Sequence, residues 1–128
     1  MGQQQLLLIV LGVIIVGIAI TVGINLFTAN AASANRDAVT ADLISLASSS
    51  QIFYSRPVAL AGGGRTFTGW TIPPRLATNA NGSYTVTVAA QSITLVGTGT
   101  ENGNDGSTKV KVTMVVGPNS ITSTTINN

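Results

Sequence analysis

The chain has 128 residues, of which 45% are hydrophobic and only 8% are charged, with a formal net charge of +2. It contains no cysteine and no histidine, which excludes disulfides, thiolate metal sites and the usual general base of an enzyme. The six basic residues are scattered, so no run of positive charge predicts binding to nucleic acid. We therefore expect neither catalysis nor a cofactor, and a surface rich in Ser, Thr, Asn and Gly is typical of a location outside the cytosol.

The first predicted element is an uncharged apolar helix. No charged residue precedes Arg36, and residues 6–27 are almost purely aliphatic. As a helix rising about 1.5 Å per residue, this segment would be roughly 33 Å long, close to the bilayer hydrocarbon thickness of about 30 Å. A cleaved signal peptide would need a basic start and a shorter apolar stretch, and an ordinary anchor would have basic and aromatic flanks. The sequence has no such basic flanks, which favours a helix that meets other helices.

Small residues interrupt the apolar helix. Ala19 and Gly23 form a small-xxx-small pair, which lets apolar helices approach closely. Glycines also weaken helix formation by up to about 1 kcal/mol each, so the segment could bend or partly unwind. The positions expected to take part in assembly are Met1, Gln5, Leu6, Leu11, Gly12, Gly17, Ala19, Gly23 and Phe27.

The helical pattern continues beyond the apolar segment as an amphipathic half. Pro57 and the glycines at 62–64 predict that it ends near residue 55. We therefore divide the chain into an extended helix over residues 1–56 and a globular domain over residues 57–128. The apolar stripe has spacings of three and four, and it consists of Val39, Leu43, Leu46, Ser50 and Phe53, with Ala47 and Ile52 beside them.

After the glycines the hydrophobic period changes to two, which predicts strands. Alternation occurs over residues 65–72, 83–89, 92–96, 109–116 and 120–126, with turn residues at 81–82, 97–107 and 117–119. One face of the resulting sheet is apolar, and only the amphipathic half of the helix is available to cover it. The last segment is rich in Ser and Thr and has little to bury, which predicts an edge strand or a contact surface. The predicted fold is α+β, a long N-terminal helix packed on an antiparallel sheet of four to five strands.

This order of an apolar helix, an amphipathic half and a small antiparallel sheet resembles the type IV pilins. The resemblance covers the whole chain in architecture, but its sequence-specific part is confined to the N-terminal apolar segment. It implies a subunit that waits in the inner membrane on its helix. It also implies that an assembly machinery extracts the subunit into an extracellular homopolymer, with the apolar helices bundled at the core of the filament. Such a filament would serve adhesion, motility or surface contact of a prokaryotic cell.

The N-terminus departs from the family pattern. Pilin precursors carry a short basic leader, which a prepilin peptidase cuts after a glycine, and the mature chain usually bears a glutamate that pairs with a neighbour's terminal amine. If Met1 is the mature first residue, which we favour, Gln5 takes the place of that glutamate and offers an uncharged amide. If the cut follows Gly2, no equivalent is left. The lack of cysteine also rules out the C-terminal disulfide loop of many bacterial pilins.

Charged residues just beyond the apolar segment are candidates for contacts between subunits. Charges buried in a filament are costly unless paired, so Arg36, Asp37 and Asp42 are expected to form salt bridges between subunits. A solvated helix face is the alternative for these three residues.

Two loop motifs are weaker candidates. Glu101 and Asp105 lie in the segment GTENGNDG, and related secretion pseudopilins hold calcium in an acidic loop, but the spacing here does not match the twelve-residue calcium loop. A plain hairpin loop is the favoured interpretation. Asn81 begins an N-glycosylation sequon, although Asn-Gly is equally a hairpin turn. Trp70 and Tyr84 are interpreted as core or subunit contacts before ligand anchors.

The leading hypothesis from the sequence is a filament subunit. Two alternatives stay open: a single-pass anchored ectodomain that acts as a monomeric binding module, and a periplasmic pseudopilin of a secretion system. Sheared filaments, visible by electron microscopy, are expected only under the leading hypothesis.

Overall fold

The computed structural model describes residues 2–128, and the assembly position Met1 lies outside the described residues. The N-terminal helix, α1, spans Gly2–Ser55, which confirms the predicted end of the helix. Pro57 disfavours helical geometry in the residue before it. The following loop then turns back over the last turn, where the N–H of Gly63 donates to the carbonyl oxygen of Phe53 at 2.8 Å. That bond satisfies a carbonyl that a helix end leaves without an intrahelical partner.

Contacts divide the described chain into two compact units, with the boundary between Ala31 and Ala32. The first unit consists of the apolar part of α1. The second unit contains the remainder of α1 and everything after it. The sequence placed the domain boundary after residue 56, where the helix ends, whereas contacts place it earlier, because side chains from Ala32 onward are buried in the core of the second unit.

The second unit contains a five-stranded antiparallel sheet. Its strands pair in chain order, so β1 and β5 are the two edges. A short 3-10 helix at Val58–Leu60 and a four-residue helix, α2, at Pro74–Ala77 precede the sheet. This architecture confirms the predicted α+β fold. The strands are β1 (Thr78–Asn79), β2 (Gly82–Val88), β3 (Ile93–Asn102), β4 (Lys109–Val116) and β5 (Ile121–Ile126).

The core lies between the C-terminal half of α1 and one face of the sheet. Both periods predicted from the sequence are present, since the helix buries residues three and four apart and β4 buries every second residue. Ile52, which was predicted beside the stripe, has a side chain that is 57% exposed. The buried residues of the helix are Ala32, Val39, Leu43, Leu46, Ala47 and Ser50, and those of the strands include Tyr84, Ile93, Leu95, Val110, Val112, Met114 and Val116.

The strand predicted over residues 65–72 does not form. Phe67 and Trp70 are both buried, and residues three apart on a strand would point to opposite faces of a sheet. The segment is instead irregular, with Arg65 and Gly69 at positive φ. The N–H of Phe67 donates to the carbonyl oxygen of Ala90 at 3.0 Å, which fixes the segment beside the end of β2. Burying the rings of Phe67 and Trp70 thus stabilises this irregular conformation more than the weak alternation over residues 65–72 favours a strand.

The turn predicted over residues 97–107 is shorter than expected, because β3 continues through its two glycines to Asn102. A Cβ atom at Gly97 would collide with the side chain of Val39, and one at Gly99 would collide with that of Asn35. Glycine is therefore needed here because α1 lies close against the strand, and not because the chain turns.

Candidate functional site

The apolar surface of the first unit is the largest candidate site. Each large apolar side chain between Leu6 and Phe27 is between 52% and 75% exposed. The hydroxyl of Thr21 donates to the carbonyl oxygen of Gly17 at 2.8 Å, and that of Thr28 to Ile24 at 2.9 Å, so both hydroxyls are satisfied within the helix. The segment therefore offers an apolar surface all round, without charge.

Glycines in this segment are not explained by contacts inside the described chain. No atom lies within 4 Å of a Cβ built at Gly12, Gly17 or Gly23. Gln5, Gly12 and Ala19 are seven residues apart, which is close to two helical turns, and Gly23 follows one turn after Ala19. These four residues therefore share one face of the helix, a relation that spacing in the sequence could have revealed. On this face Ala19 and Gly23 lie one turn apart, and two small residues at that spacing would let another helix approach closely.

The helix α1 is long and apolar enough to cross a membrane, by its length and composition. None of its most apolar stretch is buried within the described chain. An exposed surface of this kind is unfavourable in water, so it requires either lipid or other apolar helices around it.

The second unit contains a polar cluster around Asp42. One oxygen of the Asp42 carboxylate accepts hydrogen bonds from the side-chain amides of Asn79 at 2.9 Å and Asn81 at 3.0 Å, and from the hydroxyl of Tyr84. Burial by itself would raise the pKa of Asp42, but the hydrogen bonds from Asn81, Tyr84 and Asn79 outweigh it and lower that pKa. Burial, together with the neighbouring Asp42 carboxylate, raises the pKa of Tyr84. The cluster ties α1 to the hairpin between β1 and β2.

The same contacts bear on the glycosylation candidate. The Asn81 side-chain nitrogen, which a glycan would modify, donates to Asp42, and the Asn81 backbone N–H donates to the side-chain oxygen of Asn79 at 2.8 Å. Asn81 thus performs a structural role in a tight turn. Glycosylation of Asn81 stays a prediction. We expect the folded chain to disfavour it, because the side-chain nitrogen already donates to Asp42.

A second polar cluster links Arg36, near the start of the second unit, to the C-terminus and to the loop between β3 and β4. Arg36 donates to the backbone oxygen of Asn128 at 3.4 Å and to the side-chain oxygen of Asn104 at 3.0 Å. The Asp105 carboxylate accepts from the hydroxyl of Thr108 at 2.6 Å and from the backbone N–H groups of Ser107 and Thr108 at 2.9 Å. These hydrogen bonds, led by that from the Thr108 hydroxyl, lower the pKa of Asp105.

The structure thus separates the residues grouped as charge-pair candidates. Arg36 and Asp42 have hydrogen-bond partners in their own chain, while Asp37 is exposed. Their pairing between subunits stays a prediction. For the calcium candidates Glu101 and Asp105, no group of three metal-binding side chains comes together within residues 2–128.

Some contributors to these clusters were not predicted from the sequence. Asn35 accepts from the backbone N–H of Thr100 at 3.1 Å and donates to the carbonyl oxygen of Asn81 at 2.9 Å. Asn128 donates to the Asp105 carboxylate at 3.1 Å. Both asparagines act across long separations in sequence, which local patterns do not encode. Trp70 and Tyr84, by contrast, lie in the core as expected.

No protein-family model, curated protein or solved structure matches this chain.

Proposed function

We propose that this chain is the structural subunit of an extracellular, type IV pilus-like filament, and that it polymerises by bundling its apolar N-terminal helices. The observation that carries the proposal is the uncharged surface from Leu6 to Phe27, exposed on every side of α1. In a monomer this surface needs lipid. In a polymer each helix replaces that lipid with the same segment of its neighbours.

The glycine-containing face supports helix bundling over simple anchoring. An isolated anchor in lipid has no need for Gly12 and Gly23, which weaken a helix. A helix that packs against copies of itself gains from them, because the backbones can approach closely. Gln5, on the same face, brings an amide that can hydrogen-bond across the bundle at less desolvation cost than a carboxylate.

The resemblance to type IV pilins supplies the remainder of the proposal. Before assembly the subunit would sit in the inner membrane of a prokaryote, with its globular unit outside the cytoplasm. A prepilin peptidase and an assembly machinery would process and extract it. The finished filament would serve adhesion, motility or surface contact, with no enzymatic activity, cofactor or nucleic-acid partner of its own.

Filaments sheared from cells and examined by electron microscopy test this proposal. Two variants, Gly23→Leu and Leu11→Arg, should abolish filaments, because one places a large side chain where helices would approach closely and the other places a charge in the apolar bundle. Their matched controls, Gly23→Ala and Leu11→Ile, keep the residue small or apolar and should leave filaments in place. Each variant protein is also quantified in the membrane fraction, so that loss of expression is separated from loss of assembly.

Normal filaments in both Gly23→Leu and Leu11→Arg would show that helix packing is not the basis of assembly. A wild-type chain that stays membrane-bound, with no filament in the sheared material, would favour the anchored monomeric binding module instead.

A further inference from the structure

A small polar cavity lies at the C-terminal end of α1. It has a volume of about 210 Å³. Pockets for drug-sized ligands measure about 300–1,000 Å³, so this cavity is suited to one small group. Three separate segments line it: the end of α1, the loop that follows, and the turn between β4 and β5. The lining residues are Tyr54, Ser55, Arg65 and Asn119.

Arg65 is fixed in this cavity by its backbone. Its N–H donates to the carbonyl oxygen of Tyr54 at 2.8 Å, and its carbonyl oxygen accepts from the side-chain nitrogen of Gln91 at 3.1 Å. Within residues 2–128, neither the guanidinium of Arg65 nor the side-chain amide of Asn119 forms a hydrogen bond. Both groups line the cavity and therefore keep donors available for a ligand.

The backbone conformation of Arg65 is unfavourable for its residue type. Its φ is 68°, in the left-handed region that glycine adopts without penalty, and Gly64 before it has a φ of 61°. A glycine at position 65 would suit this backbone better, and the guanidinium makes no hydrogen bond that offsets the strain. Strained residues of this kind cluster at binding and active sites.

Positive charge near the cavity is not balanced by acidic side chains. Asp42 is the closest of them on α1, about 18 Å before Tyr54 along the helix axis. The two acidic residues of the β3–β4 segment lie where that segment contacts Asn35 and Arg36, roughly 30 Å from Tyr54 along the same axis. The four acidic residues of the chain are Asp37, Asp42, Glu101 and Asp105.

The end of α1 by itself would repel an anion, because the helix dipole places about half a negative charge there. Backbone N–H groups of the following loop reduce this effect. Gly63 donates to the carbonyl oxygen of Phe53, and Arg65 donates to that of Tyr54. Arg65 and the exposed Arg56 each add a full positive charge, so the net field at the cavity favours an anion.

We propose that this cavity binds the carboxylate of an acidic sugar. The planar guanidinium of Arg65 matches a carboxylate through two parallel hydrogen bonds. A phosphate ester carries nearly two negative charges and three acceptor oxygens, more than one lining arginine pairs with. The amide of Asn119 and the hydroxyl oxygen of Ser55 can hydrogen-bond the hydroxyl groups of a sugar ring. The site belongs to the second unit and does not depend on the filament function.

Nuclear magnetic resonance of arginine side chains tests the site directly, because the chain has only four arginines. The full-length, ¹⁵N-labelled protein in an uncharged detergent is titrated with glucuronate at constant ionic strength. The Nε–Hε resonance of Arg65 and the side-chain amide resonances of Asn119 are followed. Glucose has the same ring without the carboxylate and is the neutral control, and glucose 6-phosphate is the phosphate probe.

The expected result is a saturable shift of the Arg65 and Asn119 resonances with glucuronate, no shift with glucose, and binding of glucose 6-phosphate that is several-fold weaker. Arg65→Gly suits the positive φ and should fold normally, as Trp70 fluorescence reports, but the Asn119 shift should disappear. Arg75→Gln is the matched control, since Arg75 is an exposed arginine of α2 outside the cavity, and it should leave binding unchanged.

Three results would overturn the proposal. Equal shifts of all four arginines without saturation would mean charge screening, and so would an Asn119 shift that persists in Arg65→Gly. Absence of any shift at Arg65 would mean that no carboxylate binds there. Tighter binding of glucose 6-phosphate than of glucuronate would contradict the assignment to a carboxylate.

Discussion

At the scale of single residues, Asp42 is the centre of a cluster of polar contacts in the second unit. Three donors from the β1–β2 hairpin converge on one carboxylate oxygen. The buried hydroxyl of Tyr84 and the turn residue Asn81 are thereby both satisfied. In the sequence, Asp42 is one of several charged residues on a helix. In the structure, its carboxylate links α1 to the sheet through hydrogen bonds.

The pH dependence of stability should therefore include a contribution from Asp42. Its pKa in the folded state is lowered from 3.8, so the carboxylate stabilises the fold above that pH, and the contribution is lost as the pH falls through the lowered pKa. We expect the free energy of unfolding, followed by Trp70 fluorescence in detergent, to fall between about pH 5 and pH 2, and to fall less in Asp42→Asn.

Asp37→Asn is the matched control for this measurement, since Asp37 is an exposed carboxylate on the same helix. It should keep the slope of the wild-type chain. A wild-type slope in Asp42→Asn as well would mean that the cluster around Asp42 does not contribute to stability.

At the level of elements, the C-terminal half of α1 is stabilised by the sheet it covers. Its buried residues recur every three or four positions, and the glycines of β3 allow it to lie close to the strand. Ser50 is buried among them, with its hydroxyl donating to the carbonyl oxygen of Ala47 at 2.7 Å. Packing in this half of the helix is thus specific to one face.

Neighbouring residues on α1 offer a matched pair for measuring that packing. Leu43 is fully buried, whereas Ile44 is 46% exposed. Leu43→Ala should lower the free energy of unfolding by about 2–5 kcal/mol through lost burial and the cavity left behind. Ile44→Ala should cost less than about 1 kcal/mol, because alanine also favours the helix. Equal losses in chemical denaturation would mean that α1 does not pack on the sheet as described.

At the scale of the whole molecule, the two units have opposite solvent requirements. The first unit exposes apolar side chains throughout, whereas the second has a closed core of its own. Within residues 2–128, no buried side-chain nitrogen or oxygen lacks a hydrogen-bond partner. The second unit is therefore expected to fold without the first.

A fragment of residues 32–128 should be soluble without detergent and should unfold cooperatively, as followed by circular dichroism and Trp70 fluorescence. A shorter fragment, 48–128, lacks the core residues Val39, Leu43 and Leu46 and should fail to fold, because the apolar face of the sheet would be uncovered. An aggregated or non-cooperative 32–128 fragment would show that folding of the second unit depends on the apolar helix.

Much of this architecture follows from the sequence alone. The apolar run, the three-and-four spacing from Val39 onward and the strong alternation in β2 and β4 each express a local period, and the segment that carries it can be identified without its neighbours. The end of α1 before Pro57 and the position of the last strand at an edge follow in the same way. Lack of charge before Arg36 likewise predicts the apolar surface of the first unit.

Only the tertiary structure decided the features that depend on residues distant in sequence. Phe67 and Trp70 are drawn into the core, which prevents the strand predicted there, and the glycines of β3 serve close packing with α1 instead of a turn. Asp42 finds its donors in residues 79–84. Ile52 is exposed although the next residue, Phe53, packs against the core. A local sequence pattern shows which face of a segment is apolar. Which side chains contact that face depends on tertiary packing between segments that are distant in sequence.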